Sequence, residues 1–310
     1  MVIEDILPWH LQVVEAIRQR KHTQHLAQSL VLGVSEAQGS VPLSYHSAQA
    51  ILCDAESTAA CQTCKSCLLM AYEHPDLMWI KPESHHIKVD QIRALTQQVE
   101  KPTQVSTHRV VVIEQADRMN KAAANALLKT LEEPESQTIF FLMTAKKHLL
   151  PATILSRSQV EPMHTPTLTE LENWLSSHEL SFASEYIQWA VTLIGGVLPL
   201  RDLLKAGQGD DLLKGQKMWI ESLRSGFLHP QLAEHTREAP QQSLAILYSL
   251  LKKKLQAFSS RREQASQAQQ LVQVLEQVAQ IKHELSLMPT VNYVGLCQRL
   301  ITQYKTAIAQ

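Results

Sequence analysis

Four of the five cysteines fall in one short run, CDAESTAACQTCKSC, as Cys53, Cys61, Cys64 and Cys67. Two tight CxxC steps can close on one tetrahedral ion, and Cys53 supplies a fourth thiolate from the end of the helix that precedes them. A four-thiolate shell leaves no open coordination position, so the expected metal is a structural Zn²⁺, not a catalytic one. Buried thiols and a thioredoxin-type redox CxxC are the alternative readings of the same residues. Cys297, on an apolar helix face, reads as a small core residue. Immediately upstream of the cluster, LVLGVSEAQGSVPLSYHSAQAILC (30 to 53) has the layout of a phosphate-binding strand, loop and helix. Holding a triphosphate there takes backbone amides from a Gly-rich loop, a lysine as point charge and a hydroxyl for Mg²⁺. The chain keeps Gly33 and Gly39, but Ser40 and Val41 stand where the lysine and the Ser or Thr belong. Pro42 removes one more backbone donor.

The elements that must position these residues are legible in apolar patterning. SLVLGV (29 to 34), HRVVVIEQAD (108 to 117) and TIFFLMTA (138 to 145) are apolar without alternation, as strands buried on both faces of a parallel sheet are. VDQIRALTQQVE takes Asp90 as its N-cap and puts Ile92, Leu95 and Val99 on one face. NKAAANALLKTLEEP starts at Asn120, gathers Ala123, Ala124, Leu127, Leu128 and Leu131, and stops before Pro134. Strands alternating with helices imply a three-layer α/β domain. After about Val160 the strand-like runs cease; Thr167 and Glu170 form a capping-box pattern, and the rest reads as helical. Gly207 and Gly209 mark a hinge and domain boundary, and Leu271, Leu275, Val278, Ile281, Leu285 and Met288 form a packing stripe beyond it.

With 310 residues, 45% of them hydrophobic, two or three domains are expected. A formal net charge of −1 excludes a protein that grips nucleic acid by bulk positive charge. No run reaches the roughly 18 to 20 apolar residues of a membrane span, and MVIEDILPWH is unlike a signal peptide, so the cytoplasm is the expected compartment.

ANALLKTLEEP (124 to 134), the four-cysteine insert, VDQIR (89 to 93) and LSRS (155 to 158) together resemble the delta-prime family of bacterial DNA polymerase III clamp-loader subunits. The resemblance covers essentially the whole chain, strongest from Leu30 to Arg157, and MPTVNYVGLCQRLI (288 to 301) is similar to the family's final helices. LLKTLEEP is shared with the ATPase motor subunits; the degenerate nucleotide loop selects delta-prime. The resemblance implies an α/β AAA+ domain of the RecA-like, P-loop type over 1–164 with the zinc insert at 53–67. A small helical lid at 165–207 and an all-α collar at 208–310 complete the expectation.

Where active relatives read Asp-Glu at the end of the second strand, this chain reads Glu114 and Gln115, and Gln115 cannot act as a carboxylate base. The resemblance therefore implies a subunit that binds and hydrolyses no ATP of its own. Arg157 matches the arginine of the family's Ser-Arg-Cys motif, which reaches the γ-phosphate held by a neighbouring subunit; without the resemblance it would read as a surface ion pair. Ser158 replaces that motif's cysteine, and Thr144 falls at a sensor position but reads as a structural hydroxyl. Lys129, Glu132 and Glu133 read as solvated helix-end charges, which the resemblance also allows to help couple the inter-subunit surface, and Arg201 is given no role. Implied partners are the gamma/tau motor subunits and delta in a hetero-pentamer, and through it the sliding clamp and primer-template DNA. The rival readings are a working ATPase with an unusual loop and a zinc-containing nucleic-acid adaptor. For the latter, LKKKL (251 to 255) is better read as a solvated helix face, and the histidines of SHHIK (84 to 88) take no site.

Overall fold

The computed structural model describes residues 5–55, 59–133, 137–259, 264–285 and 291–309. The chain divides into two units, Met1–Trp174 and Leu175–Gln310.

The first unit is built on five parallel strands, β1 (Ser29–Leu32), β2 (Leu77–Ile80), β3 (Arg109–Ile113), β4 (Thr138–Met143) and β5 (Gln159–Glu161), in the order β2-β3-β4-β1-β5. Its helices are α1 (Leu11–His22), α2 (Ser40–Leu52), α3 (Lys65–Leu69), α4 (Val89–Val99), α5 (Lys121–Glu132) and α6 (Ala152–Leu155), and α7 (Leu168–Ser177) begins in it and ends in the second unit. Successive strand residues face opposite ways, and each face is covered. Val31, Val111, Ile113, Phe140 and Leu142 pack with residues of α4, α5 and α6. Leu30, Leu32, Val110, Val112, Phe141 and Met143 pack with residues of α1 and α2. The expected three-layer α/β architecture is thus present, with the three apolar runs as its central strands. β2 and β5 were not expected: the first is four residues long, and the second, Gln-Val-Glu, is polar.

Local signals explain the helix boundaries. Asn120 Oδ1 accepts the Ala123 amide at 2.8 Å, opening α5. Glu170 accepts the Thr167 amide at 2.7 Å while its own amide donates to Thr167 Oγ1 at 3.3 Å, a closed capping box at the start of α7. α4 corrects the sequence expectation: its N-cap is Lys88, whose amide the Gln91 side chain takes at 2.9 Å, and Asp90 lies in the first turn. A carboxylate there still favours the positive end of the helix. Pro134, expected to end α5, lies outside the described residues. At the sheet edge, the Arg20 fork on α1 grips Glu161 of β5 at 2.7 and 2.8 Å.

The second unit is all helical: α8 (Ser184–Ile194), α9 (Val197–Lys205), α10 (Gly209–Ser225), α11 (Leu232–Glu238), α12 (Pro240–Ser259), α13 (Ala265–Glu284) and α14 (Tyr293–Ala309). α9 and α10 are joined by a short turn through Gly207, at φ +73°. Leu271, Leu275, Val278 and Leu285 are buried in this unit's core, with Ile281 packed against it; Met288 of the same stripe lies outside the described residues. Cys297 is fully buried beside Thr236, as expected of a core residue. No single helix among the described residues is long and apolar enough to cross a membrane.

Candidate functional site

The phosphate-type loop leaves β1 at Gly33, forms a short 3-10 turn at Glu36–Gln38 and enters α2 through Gly39. Gly39 sits at φ +87°, and a β-carbon there would lie 2.8 Å from Leu7 Cδ1, so both backbone conformation and space demand glycine. The loop's amides are turned on the loop itself. Gln38 and Ser40 donate to the Ser35 carbonyl at 3.0 and 3.1 Å, Gly39 to Glu36 at 2.9 Å, and Val34 to Leu32 at 2.9 Å. A phosphate cradle needs such donors aimed at the anion. Ser40 is buried, its carbonyl accepting the Ser44 hydroxyl at 2.8 Å, and neither it nor Val41 offers a positive charge.

The wall over Gly39 includes His10, 2% exposed, whose Nδ1 has no hydrogen-bond partner among the described residues. Burial lowers its pKa from 6.5 to about 4. The folded protein therefore keeps a neutral imidazole where the unfolded chain takes up a proton near pH 6.5, and the unfolded state gains as pH falls. Stability should decline by up to about 3 kcal/mol between pH 6.5 and 4 from this residue. Urea midpoints measured at stepped pH check this, and His10→Leu should remove that part of the slope.

At the end of β3, Glu114 is buried and turned toward β2: the Trp79 indole donates to it, and Lys81 Nζ lies 3.4 Å away. Gln115 follows in a left-handed conformation, φ +48°. Thr144 Oγ1 donates to Asp117 at 2.5 Å and accepts the Lys146 amide at 2.9 Å, so its hydroxyl ties the ends of β3 and β4 together. Trp79, Lys81 and Asp117 had no sequence signal pointing to these contacts.

The four cysteines converge. One sulfur from each of Cys53, Cys61, Cys64 and Cys67 lies within 4.8 Å of all the others, with Cys61–Cys67 and Cys53–Cys64 at 3.9 and 4.0 Å. Tetrahedral Zn–S bonds of ~2.3 Å imply sulfur separations of about 3.8 Å, so the spacing fits one thiophilic ion. Amides turn toward the sulfurs: Cys61 N to Cys53 Sγ at 3.4 Å, Cys64 N to Cys61 Sγ at 3.3 Å and Cys67 N to Cys64 Sγ at 3.4 Å. Amide bonds from Thr63 and Cys64 pull the Cys61 thiol down to about 5. At Cys53 burial opposes ionisation, but the Cys61 and Ala55 amides outweigh it and the pKa falls. Cys67 is pushed up, by burial first and then by its bonds to Cys64 and Cys53. One wall of the cluster thus favours thiolate and the other thiol, and a bound cation would let all four ionise.

Arg157 lies just beyond α6, on the surface. Its Nη1 donates to the Thr153 carbonyl at 3.1 Å, and its Nη2 pairs with Glu132 at the end of α5. Its side chain keeps 35% of its area exposed. Ser158 bridges instead to the sheet, its hydroxyl 2.8 Å from that of Ser29 and 2.9 Å from the Ile154 carbonyl. Lys129 and Glu133 are exposed, as are Lys252, Lys253 and Lys254 on α12 and His85 and His86. Arg201 pairs with Asp202. The candidate residues therefore form three separate features: an inward-turned loop, a thiolate cluster and an exposed guanidinium.

The sequence model of a family described as "DNA polymerase III, delta subunit" matches residues 9–167. DNA polymerase III subunit delta' of Haemophilus influenzae is 30% identical over 307 residues, covering 94% of this chain and 93% of that protein. The Pseudomonas aeruginosa subunit of the same name is 35% identical over 209 residues, 66% of this chain and 62% of that one. Among solved structures, a DNA polymerase III gamma subunit-related protein from Thermotoga maritima superposes with a TM-score of 0.51 over 96% of this chain and 99% of its own, at 15% identity, a likeness of fold.

Proposed function

The chain belongs to the delta-prime family of DNA polymerase III clamp-loader subunits, and from that premise we propose that it is a non-hydrolysing member which serves a neighbour's ATP site. The observation that carries this is the loop: the Gln38, Gly39 and Ser40 amides donate to the loop's own carbonyls, and Ser40 and Val41 replace the cation and the hydroxyl. Losing the phosphate lysine and the carboxylate base together removes groups each worth orders of magnitude in rate. Glu114, the remaining carboxylate, is committed to Trp79 and Lys81. Incubating the isolated chain with Mg²⁺ and a fluorescent ATP analogue should give no saturable binding up to millimolar nucleotide. Micromolar binding would overturn the reading in favour of a working ATPase.

In this reading Arg157 is the group lent outward, in trans, to a γ-phosphate on the next subunit. A guanidinium stays charged at any physiological pH and can fork onto two phosphate oxygens. Its exposure leaves it accessible, and its partner Glu132 is itself on the surface. The cysteine cluster holds a structural Zn²⁺ through Cys53, Cys61, Cys64 and Cys67. The chain acts in the cytoplasm with gamma/tau motor subunits and delta in a hetero-pentamer that loads the sliding clamp onto primer-template DNA. Its division into a nucleotide-binding-like domain (1–164), a helical lid (165–207) and a collar (208–310) belongs to the same proposal.

A further inference from the structure

Helix α1 sends two cations to the cysteine cluster. Arg18 is 1% exposed, a burial that arginine tolerates only when its donors are satisfied. Its Nη1 donates to the Ala50 carbonyl in the last turn of α2, and its Nη2 donates to the Ala55 carbonyl at 2.5 Å and to Cys53 Sγ at 3.6 Å. One turn along α1, Lys21 Nζ donates to the Cys53 carbonyl at 2.7 Å. The guanidinium therefore bridges the chain on both sides of Cys53 while touching its sulfur.

The metal reading gives this arrangement a purpose. Cys61, Cys64 and Cys67 lie close together in sequence, whereas Cys53 joins them from the end of α2 across an eight-residue step, its sulfur taking the Cys61 amide at 3.4 Å. Its backbone is held from outside the two CxxC steps: its amide donates to the Gln49 carbonyl at 3.0 Å, and its carbonyl accepts from Lys21. A divalent ion with four thiolates also carries a net charge of −2, and a buried dianion needs compensation. Arg18 and Lys21 supply two positive charges beside Cys53, the ligand most distant in sequence from the others.

We propose that Arg18 is a positioning residue of the metal centre: its fork fixes Cys53 in ligating position, and its N–H to sulfur contact withdraws charge from that thiolate. This rests on the zinc reading above. Partners of metal ligands of this kind are typically worth about 10–100-fold in metal affinity.

The test uses the full chain loaded with zinc, and separately with cobalt, comparing wild type with Arg18→Met and Arg18→Lys. Zinc transfer to a chromophoric chelator should be favoured about 10–100-fold in Arg18→Met. The cobalt–thiolate charge-transfer band should move to longer wavelength, because the sulfur regains electron density. Arg18→Lys, which restores charge without the fork, should recover affinity only in part. A purely packing role would lower the melting temperature and leave the band in place. Should Arg18→Met fail to fold, Arg18→Lys carries the same two readouts. Wild-type zinc retention and an unshifted band in the folded variant would overturn the proposal for Arg18 alone. Wild-type protein that binds neither metal would remove the metal centre itself, and this proposal with it.

Discussion

If Arg157 serves as the proposed finger, Arg157→Ala should lower ATP hydrolysis at the neighbouring subunit's site by about 10³-fold or more in the assembled, DNA-stimulated loader, with folding and assembly unchanged. The size follows from what a guanidinium supplied in trans does to a phosphoryl-transfer transition state, where charge spreads over γ-phosphate oxygens that the nucleotide's own lysine and Mg²⁺ neutralise only in part. The lack of a folding cost follows from the surroundings. Arg157 forms an exposed ion pair with Glu132 and exposed bonds to the Thr153 carbonyl and the adjacent Ser156 hydroxyl, and exposed pairs of that kind contribute roughly 0–1 kcal/mol. Two companions sharpen the result. Arg157→Lys should restore little, because an ammonium cannot fork onto two oxygens. Glu132→Gln, which frees the guanidinium, should leave hydrolysis at least as fast as in the wild type. Single-turnover phosphate release from reconstituted complexes separates the affected site from the others, and an unaltered time course in Arg157→Ala would remove the finger role.

Stripping the metal should have the second large effect. Purified protein is expected to carry about one zinc per chain, and a strong chelator, or Cys64→Ser, should lower the melting temperature of the first unit by more than about 10 °C. Structural zinc is worth on the order of 10 kcal/mol in small metal-folded modules, as much as the entire stability of many domains. Even half of that spread over a unit of this size corresponds to a shift of about 10 °C or more. The sign with pH is fixed by the sulfurs: ligation needs thiolates, so acid opposes it. Protons compete with the metal for the four sulfurs, so zinc should be released on acidification and retained at neutral and higher pH. Metal analysis alongside thermal melts decides the matter, and a metal-free preparation with an unchanged melting point would end the zinc assignment.

What the sequence disclosed and what it withheld divide along physical lines. Runs such as RVVVI and TIFFLM are apolar on both faces because both faces are covered, so β3 and β4 announce themselves. Gln159–Glu161 is a strand only because β1 supplies its ladder, and Leu77–Ile80, though apolar throughout, is too short a run to be told from a helix segment by pattern alone. Asp90 is a good N-cap residue by type, yet the Gln91 side chain reaches back to Lys88 and moves the helix start. Clustered CxxC steps are short-range, and the convergence of four sulfurs could be read directly from spacing. The role of Arg18 could not, since it lies on another helix and contacts Cys53 only through tertiary packing. Substitution at Ser40 and Val41 was visible at once, whereas the capture of the Gln38, Gly39 and Ser40 amides was not, because backbone direction leaves no trace in residue type.

That capture reaches beyond the present chain. Had only the lysine been lost, a single codon change could reinstate a nucleotide pocket. With the local dipoles already spent on Ser35 and Glu36, a restored side chain would meet a closed turn, and the route back to an independent motor would require refolding the loop as well as rewriting it. On the proposed reading, main-chain geometry as well as residue type would keep such a subunit dependent on its neighbours.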